Sequence, residues 1–129
     1  MVALQNTTPI TWANVEACFS DRKPGTIQRL CDVWAGRLGV KPFEVGPHLE
    51  VRRVEWSIST IEHLVLWMSR HPEGHEMITP RKPRRMDGPI VVVEAPKGIY
   101  MIDGRRRANV LMRGEHPATK WPVLEIIVP

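Results

Sequence analysis

The sequence predicts an α+β fold: a small mixed sheet with helices, preceded by an N-terminal helical extension. Two observations lead to this prediction. Apolar residues in segment 26–38 recur at helical spacing on one face, whereas residues 90–93 form a continuous β-branched run typical of a buried strand. Strand-like and helix-like patterns then alternate as far as residue 128. We therefore divide the chain into a helical extension, 1–47, and an α+β domain, 48–129.

The extension contains two predicted helices. Thr11 can cap the first, which runs to about Ser20 and is broken by Asp-Arg-Lys-Pro-Gly at 21–25. The second covers 26–38, and Gly39 suits its C-terminal cap. We expect this unit to form either a layer packed on the core or a lid over a site.

In the α+β domain, predicted strands and helices alternate on both sides of a basic loop with three prolines. The predicted elements are a weak strand at 48–56, a helix at 57–70, the loop at 79–89, strands at 90–93 and 99–102, a helix at 105–112 and a strand at 123–128.

Composition favours one compact globular protein. The chain has 129 residues, of which 43% are apolar and 25% charged, near the averages for folded domains. No apolar run approaches the length that spans a bilayer, and the first residues lack the basic flank and apolar block of a secretory signal. We expect a cytoplasmic protein with no membrane partner.

Positive charge is concentrated in one quarter of the chain. Residues 79–113 carry nine Lys or Arg against three acids, whereas the whole chain has a net charge of +4. Such concentration suits a polyanionic partner, either nucleic acid or the phosphates of a nucleotide.

The segment 103–107, Asp-Gly-Arg-Arg-Arg, joins a predicted strand to a predicted helix. Gly104 allows a sharp turn and close approach of a ligand, and the first turn of a helix presents unpaired N–H groups to an anion. Three adjacent arginines repel one another unless an anion lies among them, and guanidinium groups match phosphate oxygens. We expect Asp103 to cap the helix, although it could also hold Mg²⁺ or act as a base.

The stretch 98–108, Gly-Ile-Tyr-Met-Ile-Asp-Gly-Arg-Arg-Arg-Ala, resembles the core of the ParB/sulfiredoxin superfamily. Gly114, Trp-Pro-Val-Leu-Glu-Ile-Ile-Val at 121–128 and Pro-Ile-Val-Val-Val at 89–93 extend the resemblance. It implies a ParB-like, sulfiredoxin-like fold that binds a nucleoside triphosphate, CTP or ATP, with Mg²⁺. Carried over, it implies that Gly104, Arg106 and Arg107 hold the phosphates. Together with Asp103 and Arg105 of the same turn, these are the predicted nucleotide-binding residues.

Two departures limit what the resemblance implies about chemistry. The reactive cysteine of sulfiredoxins would fall at Arg105, so that reaction is not expected here. The glutamate that ParB proteins commonly have at the same position is also replaced, which puts nucleotide hydrolysis in doubt. No catalytic residue is assigned, and whether the protein is an enzyme stays open.

Other residues leave two further hypotheses open. Arg81, Lys82, Arg84 and Arg85 form a second basic cluster that could bind DNA together with the turn, with or without cleavage. The chain could instead be a protein-interaction or inhibitor module of a phage or mobile element that keeps the fold without catalysis. His71, Glu73, His75 and Glu76 surround Pro72 and Gly74, which prevents a regular helical ligand pair, so we predict no metal site.

Overall fold

The computed structural model describes residues 9–70 and 77–129. Within them it has four helices and a four-stranded mixed sheet, so the predicted α+β class is confirmed. The elements in chain order are α1 (Trp12–Cys18), α2 (Thr26–Leu38), β1 (Glu50–Ser57), α3 (Ile58–Ser69), β2 (Ile90–Ala95), β3 (Gly98–Asp103), α4 (Arg105–Met112) and β4 (Lys120–Ile127). None of these helices is long and apolar enough to cross a membrane.

Local capping explains where several helices begin and end. α2 ends at Leu38 and is capped by Gly39, whose φ of 66° lies in the left-handed region that glycine adopts most easily. α3 begins after Ser57, whose side-chain oxygen accepts a hydrogen bond from Thr60 N at 3.2 Å. α1 ends at Cys18, two residues before the predicted end, because Phe19 leaves the helical conformation and is buried in the core.

The sheet order is β1-β4-β2-β3. β4 pairs antiparallel with β1 and parallel with β2, and β2 pairs antiparallel with β3. β4 starts at Lys120, three residues earlier than predicted, because its first residues pair with the end of β1. Pro122 is tolerated there since the pairing with β2 begins only at Val123, so β4 has a single neighbour at the proline.

One hydrophobic cluster contains residues of all four helices and all four strands. The ring of Trp34 in α2 stacks on that of Tyr100 in β3, with centroids 6.2 Å apart. The N-terminal helices therefore form a layer packed on the core, the first of the two alternatives. α3 packs beside β3, where Met68 Sδ accepts a hydrogen bond from Met101 N at 3.2 Å.

Candidate phosphate-binding site

The turn between β3 and α4 is centred on Gly104. Its φ is 101°, a conformation that side chains rarely allow, and it forms the N-cap of α4 without a side-chain cap. A Cβ at this position would lie 2.8 Å from Ile90 Cγ1 on β2. Contact with the neighbouring strand therefore requires a glycine here, independently of any ligand.

Asp103, the last residue of β3, does not play the capping role expected of it. Its side chain is only 6% exposed, and it accepts hydrogen bonds from two guanidinium groups. Arg22 Nη2 lies 2.5 Å from Oδ1, and Arg107 Nη2 lies 3.1 Å from Oδ2. The negative charge that lies between these arginines is thus supplied by the protein itself.

Arg107 also fixes the basic loop. Its side chain is 15% exposed, and Nη1 donates to the backbone oxygen of Asp87 at 2.5 Å. A Cβ at Gly88 would lie 3.0 Å from Nη1, so the loop backbone approaches the guanidinium closely. Both terminal nitrogens of Arg107 are therefore engaged inside the protein.

Arg105 and Arg106 occupy the first turn of α4 and are half-buried. Arg105 has an interaction with other residues. The side chain of Arg106, in contrast, has no hydrogen bond or ion pair with any residue between 9 and 70 or between 77 and 129. Of the three consecutive arginines, Arg106 has the most freedom to contact a ligand.

The basic loop is held at both ends. At its start, Thr79 N donates to Asn109 Oδ1 at 3.0 Å, and Arg113 Nη1 donates to Thr79 O at 2.9 Å. At its end, Trp121 Nε1 donates to Gly88 O at 3.0 Å. These contacts fix both ends of the loop that carries the second basic cluster to neighbouring parts of the chain.

Within this loop the four cations of the second cluster, Arg81, Lys82, Arg84 and Arg85, are exposed. The side chains of Arg84 and Arg85 are 87% and 82% exposed, and their contacts with Asp21 and Asp87 are pairs of surface groups at 3.7 and 3.1 Å. Surface pairs of this kind are weak and are readily exchanged for a phosphate contact.

A cavity of about 450 Å³ lies between the loop and α4. Its lining residues are Lys82, Pro83, Arg85, Met86, Val110 and Glu115. The pKa of Glu115 is lowered, first by its hydrogen bond with Arg113, so this carboxylate stays ionised. A second cavity of about 450 Å³ includes the β2–β3 turn, at the end of β3 opposite Asp103.

Cys18 lies near the Asp103 cluster but is not an activated nucleophile. Its thiol donates to Asn14 O at 3.3 Å. Burial is the main cause that raises its pKa, and the charge of Asp103 raises it further against the opposing effect of Arg107 and Arg22. The thiol therefore stays protonated at neutral pH.

Metal ligands do not converge at this site. The described residues contain no group of three or more His, Cys, Asp or Glu that could hold a metal ion. His71, Glu73, His75 and Glu76, considered above, lie outside the described residues. Each carboxylate oxygen of Asp103 accepts a hydrogen bond from a guanidinium group, so this side chain is paired with arginines and not with other metal ligands of the described residues.

The sequence patterns do not identify two residues that shape this site, Arg22 and Asn109. Arg22 lies in a segment that predicts only a helix break, and Asn109 in one that predicts only a helix. Their partners are 81 and 30 residues away along the chain. No local pattern marks either one, apart from the unusual presence of a polar Asn on a helix that packs on the core.

The chain matches no family model, and no curated protein or solved structure is significantly similar to it. The resemblance to the ParB/sulfiredoxin superfamily therefore stays a prediction from the motif and the order of elements.

Proposed function

We propose that the protein binds the phosphate chain of a nucleoside triphosphate at the start of α4. The observation that carries this proposal is the position of Arg106 in the first turn of a helix that has no side-chain cap, with a guanidinium that has no partner among the residues that the structure describes. Such a turn offers N–H groups and the positive end of a helix dipole to an anion. The resemblance to ParB and sulfiredoxin proteins supports a nucleotide, CTP or ATP, as the source of the phosphates.

The residues at the turn do not suit a metal ion held by the protein. Because the described residues offer no cluster of metal ligands and Asp103 is paired with arginines, any Mg²⁺ would be bound mainly by the nucleotide phosphates. The ion would neutralise part of the phosphate charge there. The proposal is therefore one of binding, and it assigns no hydrolysis.

Isothermal titration calorimetry with CTP, ATP and GTP at low salt tests the proposal. The wild type should bind at least one of them with a Kd in the micromolar range. Arg106→Ala should weaken binding about tenfold or more, since a hydrogen bond to a charged group contributes about 1.5–3 kcal/mol. Arg53→Ala is the control, because Arg53 is an exposed arginine on β1, the strand farthest from β3 in the sheet. No heat with any nucleotide would contradict the proposal.

A second candidate function is binding of the DNA backbone. The basic loop favours this candidate. Its backbone is hydrogen-bonded to α4 and β4, and its cations are exposed. A backbone that is already held in place lowers the ordering cost when the cations of the loop contact successive phosphates.

Fluorescence anisotropy with a duplex oligonucleotide at several salt concentrations tests this candidate. The double variant Arg84→Ala/Arg85→Ala should bind more weakly and reduce the slope of log K against log salt by about 1.8, since each phosphate contact accounts for about 0.9. Arg53→Ala is again the control. An unchanged slope would exclude the loop as the contact surface, and plasmid nicking in Mg²⁺ would separate cleavage from binding.

A further inference from the structure

The side chain of Arg22 reaches the candidate site from the other end of the chain. It extends from the loop between α1 and α2 to the end of β3, where Nη2 contacts Asp103. Its guanidinium carbon lies 5.0 Å from the centroid of the Phe19 ring, which supports the group from one side. The side chain is nevertheless 41% exposed.

Arg22 and Arg107 differ in what they can still bind. Arg107 is almost enclosed and uses both terminal nitrogens within the protein. A guanidinium has five N–H donors, and that of Arg22 uses one of them, for Asp103, in its hydrogen bonds with the described residues. The guanidinium of Arg22 is therefore held by Asp103 but keeps N–H groups for a ligand. That of Arg107 is held by two partners.

We propose that Arg22 is a phosphate-binding residue of the site at α4 and that Asp103 is an internal competitor for it. A bound phosphate takes the guanidinium of Arg22 from the carboxylate of Asp103, while Arg107 continues to hold that carboxylate. This inference rests on the proposed function and adds a ligand-binding residue from the N-terminal helices.

Competition with Asp103 has a consequence for selectivity. To bind Arg22, a ligand has to displace the carboxylate of Asp103 from the guanidinium. The same carboxylate also repels a negatively charged ligand. Phosphate chains with several charges overcome this cost, and a single phosphate does so poorly. The site should therefore prefer triphosphates over monophosphates.

A purely structural Arg22 would behave differently on substitution. If Arg22 only tied the α1–α2 loop to β3, then removing either Arg22 or Asp103 would loosen the same contact and weaken the site alike. If the two compete as proposed, then their removal has opposite effects on affinity.

Calorimetry of the full chain with inorganic tripolyphosphate, which carries no base, measures this difference. We expect Arg22→Ala to weaken binding at least tenfold, Arg22→Lys to recover part of the loss because it keeps the charge, and Asp103→Asn to tighten binding severalfold. Arg53→Ala should bind as the wild type does. Circular dichroism checks that each variant is folded.

The outcomes separate the inference from the function on which it rests. If Arg22→Ala binds like the wild type while Arg106→Ala binds more weakly, then Arg22 is structural and the inference fails although the function stands. Weaker binding by a folded Asp103→Asn would also overturn it. If Asp103→Asn does not fold, the affinity of Arg22→Ala decides. A wild type that binds neither tripolyphosphate nor any nucleotide overturns both proposals.

Discussion

Replacing Gly104 by alanine is the sharpest test of how the turn before α4 is built. The substitution adds a single methyl group in a conformation with φ of 101°. The new Cβ would lie 2.8 Å from Ile90 Cγ1 and 3.2 Å from Ile90 Cα. Because Cα belongs to the backbone of β2, rotation of a side chain cannot relieve the whole overlap.

Two effects contribute to the expected loss of stability. A non-glycine residue at positive φ costs about 1–2 kcal/mol, and an overpacked contact costs a further ~1–3 kcal/mol. We therefore expect Gly104→Ala to lower the free energy of unfolding by about 2–5 kcal/mol, a large share of the roughly 5–15 kcal/mol typical of a domain.

Gly25→Ala separates the two effects. Gly25 has a φ of 84°, but a Cβ there would meet nothing within 4 Å, so this variant should lose only the conformational part. Urea unfolding followed by far-UV circular dichroism gives both free energies. Equal losses for the two variants would refute the conclusion that contact with β2 requires the glycine.

Three further predictions follow from buried groups. Asn109→Ala removes buried hydrogen bonds with Met77 O and Thr79 N, so its free energy of unfolding in urea should fall by about 2–4 kcal/mol; a loss below about 1 kcal/mol would contradict this. Burial is the main cause that raises the pKa of Glu125 in the folded protein. The ionised carboxylate therefore destabilises the fold at pH values above this raised pKa, and protonation removes the destabilisation as the pH falls through the pKa. Glu125→Gln should therefore have a higher Tm than the wild type at pH 8, with a difference that shrinks toward pH 4, and a difference independent of pH would contradict this cause. Burial raises the pKa of Cys31 to about 12, so iodoacetamide at pH 8 should modify this thiol in urea but not in buffer, as mass spectrometry would show.

Elements whose ends are determined locally could be predicted from the sequence. The bounds of α2 and α4 agree with the predicted 26–38 and 105–112, since glycines flank both helices. The start of β4 could not be predicted, because it depends on pairing with β1 about 65 residues earlier in the chain. The proline at 122 is tolerated because β4 has only β1 as a neighbour at that point, which only the sheet order shows.

The candidate site also has features that the local sequence predicts and features that it does not. The run of arginines after a glycine indicated an anion-binding turn, but it could not show how the charges are shared. In the structure Asp103 already neutralises part of the cluster, and Arg107 serves the basic loop. The glycine that was interpreted as space for a ligand is also required by Ile90. Such assignments depend on contacts between distant segments, which no local pattern contains.

Phosphate binding at the start of α4 is tested most directly by amide chemical shifts. A titration of ¹⁵N-labelled protein with CTP or ATP, followed by two-dimensional NMR, should move the backbone amides of Gly104, Arg105 and Arg106 first and most. The amides of β1 should stay in place. Shifts confined to other parts of the chain, or a spectrum unchanged at millimolar nucleotide, would contradict the account.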